Sequence, residues 1–450
     1  MNRQQLDNIR ACWLEKNLDE ETRTICQRHN IAIPKTEKQE SSEVWGDWKW
    51  HISARVHDLM SFLLLFPQYQ GQEHELSEWL KSYDLSILPL NLLQPEGVQK
   101  FLPRPGLVPA PDPYGVQQEH SIVLREEDGK KFYLATRKPG YATFLPILSG
   151  GASRVFCPIG CAGCYRGAQT RFNEPLRIIK KDGTTEDIQI PQPVEQIRWL
   201  VERWNLDPQF SEVYDILISG GEPMILPNSV WKQMLDELKN AKYLKSLRIC
   251  TGALFLGLPF RFDDEFIGIL TDFRKTTGVS IKMSTHISHP ENITPEAIFF
   301  ARKILRAGIE ILPQIPLEGG VNFWMDDLQR TARTLRQLDR LLALAVGTRA
   351  YKWIVDMQKR RVNQGVSIIS AIEVWRILHD GHCGESDITR PTSLALFFPH
   401  ERGNLNLSFH SLWAIKKQVD QKRAVVRYKI PHPAGGWLDY EEPLWPGANA

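Results

Sequence analysis

Between about residue 150 and residue 360 the sequence alternates short apolar runs with stretches of helical periodicity, and this alternation constrains the fold more than any other feature. The runs expected as strands are 153–156, 213–219, 245–250, 279–284, 309–315 and 350–355. Between most of them lie stretches expected as helices, at 193–204, 228–242, 295–307 and 326–342. Strands that alternate with helices pair in parallel, with the helices covering the sheet. The expected class is therefore α/β. Six such units make a partial (β/α)6 barrel, short of the usual eight. A helix near 367–380 and an apolar run from Leu394 to Phe398 are candidates to extend it.

The flanks read differently. Residues 1–32 show helical spacing through Ile9, Cys12, Trp13 and Leu18, and 33–43 are polar and expected as loop. Residues 45–66 and 74–100 suggest further short helices, and 102–119, with five prolines, suggest a crossing linker. The expected organisation is a helical N-terminal region and linker over 1–120, a core over 121–360 and a C-terminal extension over 361–450.

Composition narrows the partners. A formal net charge of +2 provides no strong basic field for a nucleic acid. No run approaches the roughly 18 consecutive apolar residues of a membrane helix, and Leu59–Phe66 is too short. The first thirty residues are charged and polar, unlike a secretory signal, so the expected setting is cytoplasmic.

Of the seven cysteines, three fall within eight residues, in Phe156-Cys-Pro-Ile-Gly-Cys-Ala-Gly-Cys-Tyr-Arg-Gly167. An odd count in a long, signal-free chain favours a metal site over a disulfide framework. Three thiolates on one short loop, from Cys157, Cys161 and Cys164, can wrap one face of a cubane iron–sulfur cluster and leave the fourth iron open. Gly160 and Gly163 let the chain turn between them. The competing reading is a zinc site closed by His286, His289, Cys250 or Cys383, although zinc sites favour paired C-x2-C units.

Other strand ends carry polar groups. Ile216-Leu-Ile-Ser-Gly-Gly-Glu-Pro-Met224 runs an apolar strand into Gly220, Gly221, Glu222 and Pro223, where glycines admit a ligand and a carboxylate can accept from an ammonium group. Thr251 closes the next strand, His286 the one after, and Gln314 lies near the end of the fifth. In parallel barrels the active face is built at such ends.

The C-x3-C-x2-C loop followed by the Gly-Gly-Glu-Pro turn one unit later resembles the radical S-adenosylmethionine (SAM) superfamily. The resemblance implies a radical SAM type of barrel and a [4Fe-4S] cluster whose open iron binds SAM. Reductive cleavage would then yield a 5′-deoxyadenosyl radical that takes hydrogen from substrate. It assigns Gly220, Gly221, Glu222 and Pro223, with Thr251, His286 and Gln314, to cofactor contacts. Trp45–Trp50 with His51 and Arg55, Leu247-Arg-Ile with Leu258-Pro259, Thr285–Thr294, and Ala307-Gly-Ile with Gln314 and Gly320-Val-Asn322 resemble the lysine 2,3-aminomutase family. This narrower likeness covers roughly residues 40–360. It implies that Arg166 grips a substrate carboxylate, a task suited to a guanidinium fork, and that Asp356 receives a distant substrate amine. It also implies an amino-acid-like small substrate, an electron donor such as flavodoxin or ferredoxin, and compatibility with a homo-oligomer.

One family feature departs from the pattern. Family aminomutases hold pyridoxal 5′-phosphate (PLP) on a lysine near the C-terminus, whereas the corresponding Leu394–Asn406 contains no lysine. Lys416, Lys417 and Lys429 lie nearby in unmatched contexts. The amino shift passes through an imine that PLP supplies. Three readings follow: a radical SAM enzyme that has abandoned PLP, a PLP-dependent aminomutase with a displaced lysine, and a non-enzymatic zinc or iron–sulfur protein.

Overall fold

The computed structural model describes residues 3–35, 43–83, 85–103, 122–137, 143–148, 157–161, 176–179, 184–207, 213–356, 366–379, 394–397, 405–407, 414–431 and 436–444. Two compact units result, one of Met1–His286 with Asn292–Leu312, the other of Ile287–Glu291 with Pro313–Ala450.

The first unit opens with helices α1 (Arg3–Asn17) and α2 (Glu20–Arg28). Asp19 separates them, because its side chain accepts from Thr22 N at 2.8 Å and caps α2. The single helix expected over 1–32 is thus broken by an N-cap. Short helices α3 (Trp48–Ser53), α4 (Leu59–Leu65), α5 (Glu73–Tyr83) and α6 (Pro89–Leu92) follow. The linker expected at 102–119 lies almost wholly outside the described residues, as does the strand expected at 153–156.

Strands β1 (Ile122–Glu127) and β2 (Lys130–Arg137) form an antiparallel hairpin absent from the sequence expectation. Asp128 and Gly129 turn it at φ +52° and +71°, the left-handed pair that a two-residue hairpin loop demands. Strand β3 (Thr143–Leu148) pairs antiparallel with β2 and parallel with β6, while β4 (Leu176–Ile179) and β5 (Thr185–Ile188) make a separate ribbon.

The expected alternation then appears: α7 (Pro193–Leu206), β6 (Asp215–Gly220), α8 (Asn228–Leu238), β7 (Ser246–Thr251), α9 (Asp264–Thr277), β8 (Ser280–His286) and α10 (Pro295–Arg306). Strands β3, β6, β7 and β8 pair in parallel. From Asp215 to Ile218, β6 is buried on both faces, as a central parallel strand under covering helices must be. Helix α9 starts at the Asp263 cap, which accepts from Phe266 N at 2.7 Å, and stops at Gly278 with φ +73°.

Strand β9 (Glu310–Pro316) leads into the second unit, followed by α11 (Leu328–Leu341), β10 (Lys352–Asp356), α12 (Ile368–His379), β11 (Leu394–Phe397) and β12 (Leu405–Leu407). Here β10 pairs in parallel with β9 and β11. A meander of β13 (Lys416–Asp420), β14 (Val425–Pro431) and β15 (Trp437–Pro443) closes the described chain. The α/β class therefore holds, with parallel strands and helices in sequence alternation. Among the described residues no helix is long and apolar enough to cross a membrane.

Candidate functional site

The C-terminal ends of the parallel strands in the first unit lie side by side. Leu148 of β3 is opposite Gly220 of β6, and Thr251 of β7 is opposite Thr285 of β8, one residue before His286. Gly220 adopts φ +131°, a conformation that a Cβ would strain. It sends the chain off the strand into Gly221, Glu222 and Pro223.

Glu222 is 3% exposed, and its carboxyl group is fully engaged with this chain. One oxygen accepts from Thr251 Oγ1 at 2.6 Å and Met224 N at 3.1 Å, the other from Gly252 N at 2.8 Å. Burial pushes its pKa up to about 7, against the lowering effect of these hydrogen bonds. Glu222 thus straps the β6 turn to the end of β7, a role that the Gly-Gly-Glu-Pro string does not announce.

The same turn is also bonded by Arg261, 1% exposed. Its Nε donates to Met224 O at 2.6 Å and its Nη2 to Leu226 O at 2.9 Å. Nη1 is buried without a hydrogen-bond partner, while the guanidinium stands 4.3 Å from the Phe266 ring centroid and 5.3 Å from that of Trp48, distances at which aromatic faces attract a cation. Burial draws its pKa down to about 10, opposed by Asp263, Glu265 and Glu222. The backbone of Met224 is therefore held at its N–H by the Glu222 carboxyl group and at its C=O by the Arg261 guanidinium. Sequence reading singled out Leu258-Pro259 and passed over Arg261, two residues on.

The cysteine loop joins this arrangement. Cys157 and Cys161 are half-buried, whereas Pro158, Ile159 and Gly160 between them are buried. A Cβ built on Gly252, the residue that donates to Glu222, would meet Ile159 Cγ2 at 3.7 Å. Gly160 has φ +63°, and a Cβ there would come within 2.3 Å of Ser86 N. Only glycine suits that position, and it draws the loop into the short turn that closely spaced thiolates need. The donor chemistry of Cys157 and Cys161 on this turn fits an iron–sulfur cluster. Cys164 and Arg166 lie outside the described residues. Among the described residues no group of three His, Cys, Asp or Glu side chains could hold a metal ion.

His286 is half-buried at the end of β8. His289 is 5% exposed, and its Nδ1 accepts from Glu291 N at 3.3 Å. In the second unit, Gln314 pairs in register with Lys352, and its carbonyl accepts from Ile287 N at 3.1 Å. Asp356 is the last residue of β10, opposite Phe397 of β11. A buried network adjoins β9 and joins two of the segments that carry the family resemblance, Thr285–Thr294 and Gly320–Asn322, through Glu318 and Asn322. Ser288 donates to Glu318 at 3.0 Å, and Asn322 donates to the carbonyls of Ser288 and Pro316 at 2.9 and 2.8 Å.

The residues described near the C-terminus do not fit a PLP lysine. Strand β11 has none, and Lys416, Lys417 and Lys429 are exposed on the meander. Lys416 lies 4.9 Å from the Trp437 ring centroid, and Lys429 lies 3.9 Å from Asp439.

No family model matches the chain. It is 25% identical over 343 residues to a protein of Aquifex aeolicus (strain VF5) provisionally named L-lysine 2,3-aminomutase, covering 74% of this chain and 81% of the relative. Glutamate 2,3-aminomutase of Clostridioides difficile (strain 630) is 24% identical over 63% of this chain and 60% of its own length. L-lysine 2,3-aminomutase of Clostridium subterminale is 22% identical over 63% of this chain and 62% of its own length. The chain thus spans less than two thirds of the latter two. A chitinase from Chromobacterium violaceum aligns in structure at a TM-score of 0.21 and 10% identity, over 59% of this chain and 76% of that one, and carries no argument. The relatives agree with the motifs: this chain is similar to the lysine 2,3-aminomutase family of radical SAM proteins over 63–74% of its length.

Proposed function

We propose that this chain is a radical SAM enzyme that abstracts hydrogen from an amino-acid-like substrate, on a lysine 2,3-aminomutase-like scaffold and without PLP. The observation that carries the reading is the meeting of the Cys157–Cys161 loop, the Gly220–Pro223 turn and the Thr251–Gly252 strand end through Ile159 and Glu222. In this reading residues 121–360 are the core, a partial (β/α)6 barrel, flanked by the helical region 1–120 and the extension 361–450.

Cys157, Cys161 and Cys164 would hold the [4Fe-4S] cluster by their thiolates. With SAM bound, such a cluster would pass on one electron, taken from an external donor, for reductive cleavage of the sulfonium with release of methionine. Gly220 and Gly221 expose backbone to SAM where a side chain would stand in the way. Glu222 and Arg261 keep that backbone still, and the family resemblance assigns Thr251, His286 and Gln314 to cofactor contacts. Arg166 orients the substrate by its carboxylate and Asp356 by an amine. An electron donor such as flavodoxin or ferredoxin, a cytoplasmic setting and a homo-oligomer belong to the same proposal.

The test is anaerobic reconstitution with iron and sulfide, followed by 5′-deoxyadenosine assays over an amino-acid panel with and without PLP. Substrate-stimulated SAM cleavage independent of PLP is expected. One bound zinc without sulfide would sink the reading.

A second reading is a PLP-dependent aminomutase with a displaced lysine, favoured by the names of the relatives. Borohydride reduction that fixes PLP to one lysine, together with PLP-dependent turnover, would select it.

A further inference from the structure

Three buried side chains on one short N-terminal segment reach three different strand-end loops. Ser86 Oγ donates to Pro158 O at 2.9 Å, inside the cysteine loop. Asn91 Nδ2 donates to Leu256 O at 3.1 Å, in the loop after β7. Gln94 Oε1 accepts from Asn292 Nδ2 at 2.8 Å, in the turn after β8. Their exposures are 1%, 0% and 3%, so each bond is made away from water, where an unmet carbonyl is penalised most.

Glycines on the loop side let this segment come close. A Cβ on Gly160 would lie 2.3 Å from Ser86 N and 2.5 Å from Ser86 O, and one on Gly257 would lie 2.8 Å from Asn91 Nδ2. The segment has its own anchor: Ile87 and Val56 exchange both backbone hydrogen bonds at 2.9 Å. Ser86 therefore sits on a fixed support and contacts the cysteine loop twice, by its hydroxyl and by its backbone.

We infer that Ser86 is a positioning residue for the iron–sulfur loop, and that residues 86–94 set that loop's geometry from outside the βα core. The inference rests on the cluster reading above. Pro158 directly follows Cys157, so the bond to its carbonyl fixes the Pro158–Ile159 peptide, one unit beyond the first thiolate and between Cys157 and Cys161. Groups that orient metal ligands in this way govern retention of the metal without touching it.

The experiment uses the full chain, reconstituted anaerobically, and compares wild type with Ser86→Ala, Gly160→Ala and Ser370→Ala. Ser370 is a control, since it is a buried hydroxyl of the second unit bonded to Ser367. Iron and sulfide per chain, the electron paramagnetic resonance spectrum of the reduced cluster and the rate of iron loss to a chelator are measured. Ser86→Ala is expected to lose iron on the order of tenfold faster with an altered spectrum. Gly160→Ala should do so at least as fast, while Ser370→Ala matches wild type. If Ser86→Ala does not fold by circular dichroism, Gly160→Ala carries the test. Wild-type protein that takes up no iron and sulfide overturns the cluster reading, and this inference with it. Wild type that holds a cluster unchanged in both loop variants, or a control that loses iron equally fast, overturns the inference alone.

Discussion

Glu222 and Arg261 hold one peptide turn between them, and their buried charges have consequences that can be measured. The Glu222 carboxyl, normally near 4.5, is raised to about 7 by burial. A raised carboxyl contributes stability fully at pH below 4.5, where it is protonated in both states, and that contribution is lost as pH rises to about 7. Glu222 should therefore contribute a fall in melting temperature from pH 4.5 to pH 7, read as the difference in slope between wild type and Glu222→Gln, since buried His51, lowered to about 4, contributes a rise over part of that window. Glu442 must be controlled for, because burial raises it to about 7 as well, beside Tyr428 and Ile368 N. Glu442→Gln should remove its own share, and the double variant both. A slope unchanged in Glu222→Gln would contradict the assignment. Arg261→Met should strip donors from two buried carbonyls, destabilising by about 3 kcal/mol in denaturant melts. On the proposed function it should also lower SAM cleavage by roughly tenfold, equivalent to about 1.4 kcal/mol, with iron content unchanged.

Among elements, α1 and α10 are joined by a buried ion pair. Arg10 Nε and Nη2 donate to the two carboxylate oxygens of Glu296 at 2.8 and 3.0 Å, and Trp45 Nε1 adds a third bond at 3.2 Å. Burial would raise Glu296, but Arg10 outweighs it and holds the carboxylate below its usual range. Removing one partner strands the other charge. Arg10→Ala should destabilise by about 3–5 kcal/mol, whereas Arg10→Met with Glu296→Gln should recover most of that loss in the same melts. How far elements were legible depended on whether their signal was local. Strands at 213–219, 245–250 and 279–284 were found within a residue or two, since buried runs between helices mark themselves. The β1–β2 hairpin was missed although Asp128-Gly129 is a strong turn signal. Its strands carry Arg, Glu and Lys, which blunt the apolar alternation that marks a strand. In the C-terminal meander β13 gives as weak a signal, with Val419 its one apolar residue, whereas β14 alternates buried Val426, Tyr428 and Ile430 with exposed Arg427 and Lys429.

At the scale of the molecule, the fold and the cysteine loop rest on different forces. The first unit's core is apolar, with Ile216, Ile218, Leu247, Ile249, Ile281 and Met283 all at most 1% exposed. Burial on that scale does not depend on a loop at the strand ends. On the proposed function, a chelator that strips the cluster should abolish SAM cleavage while far-UV circular dichroism keeps its helical and strand signal. Collapse of that signal would show that the cluster is structural. By itself the sequence determined the α/β order, the three-cysteine loop and the aminomutase resemblance, because periodicity and motif spacing are written within a few residues. Only the tertiary structure decided what holds the site. Ser86 meets Pro158 across 72 positions, Asn91 meets Leu256 across 165, and Arg261 meets Met224 across 37. Hydrogen bonds over such separations have no local period, so nothing near Ser86, Asn91 or Arg261 in the chain distinguishes them from ordinary polar residues.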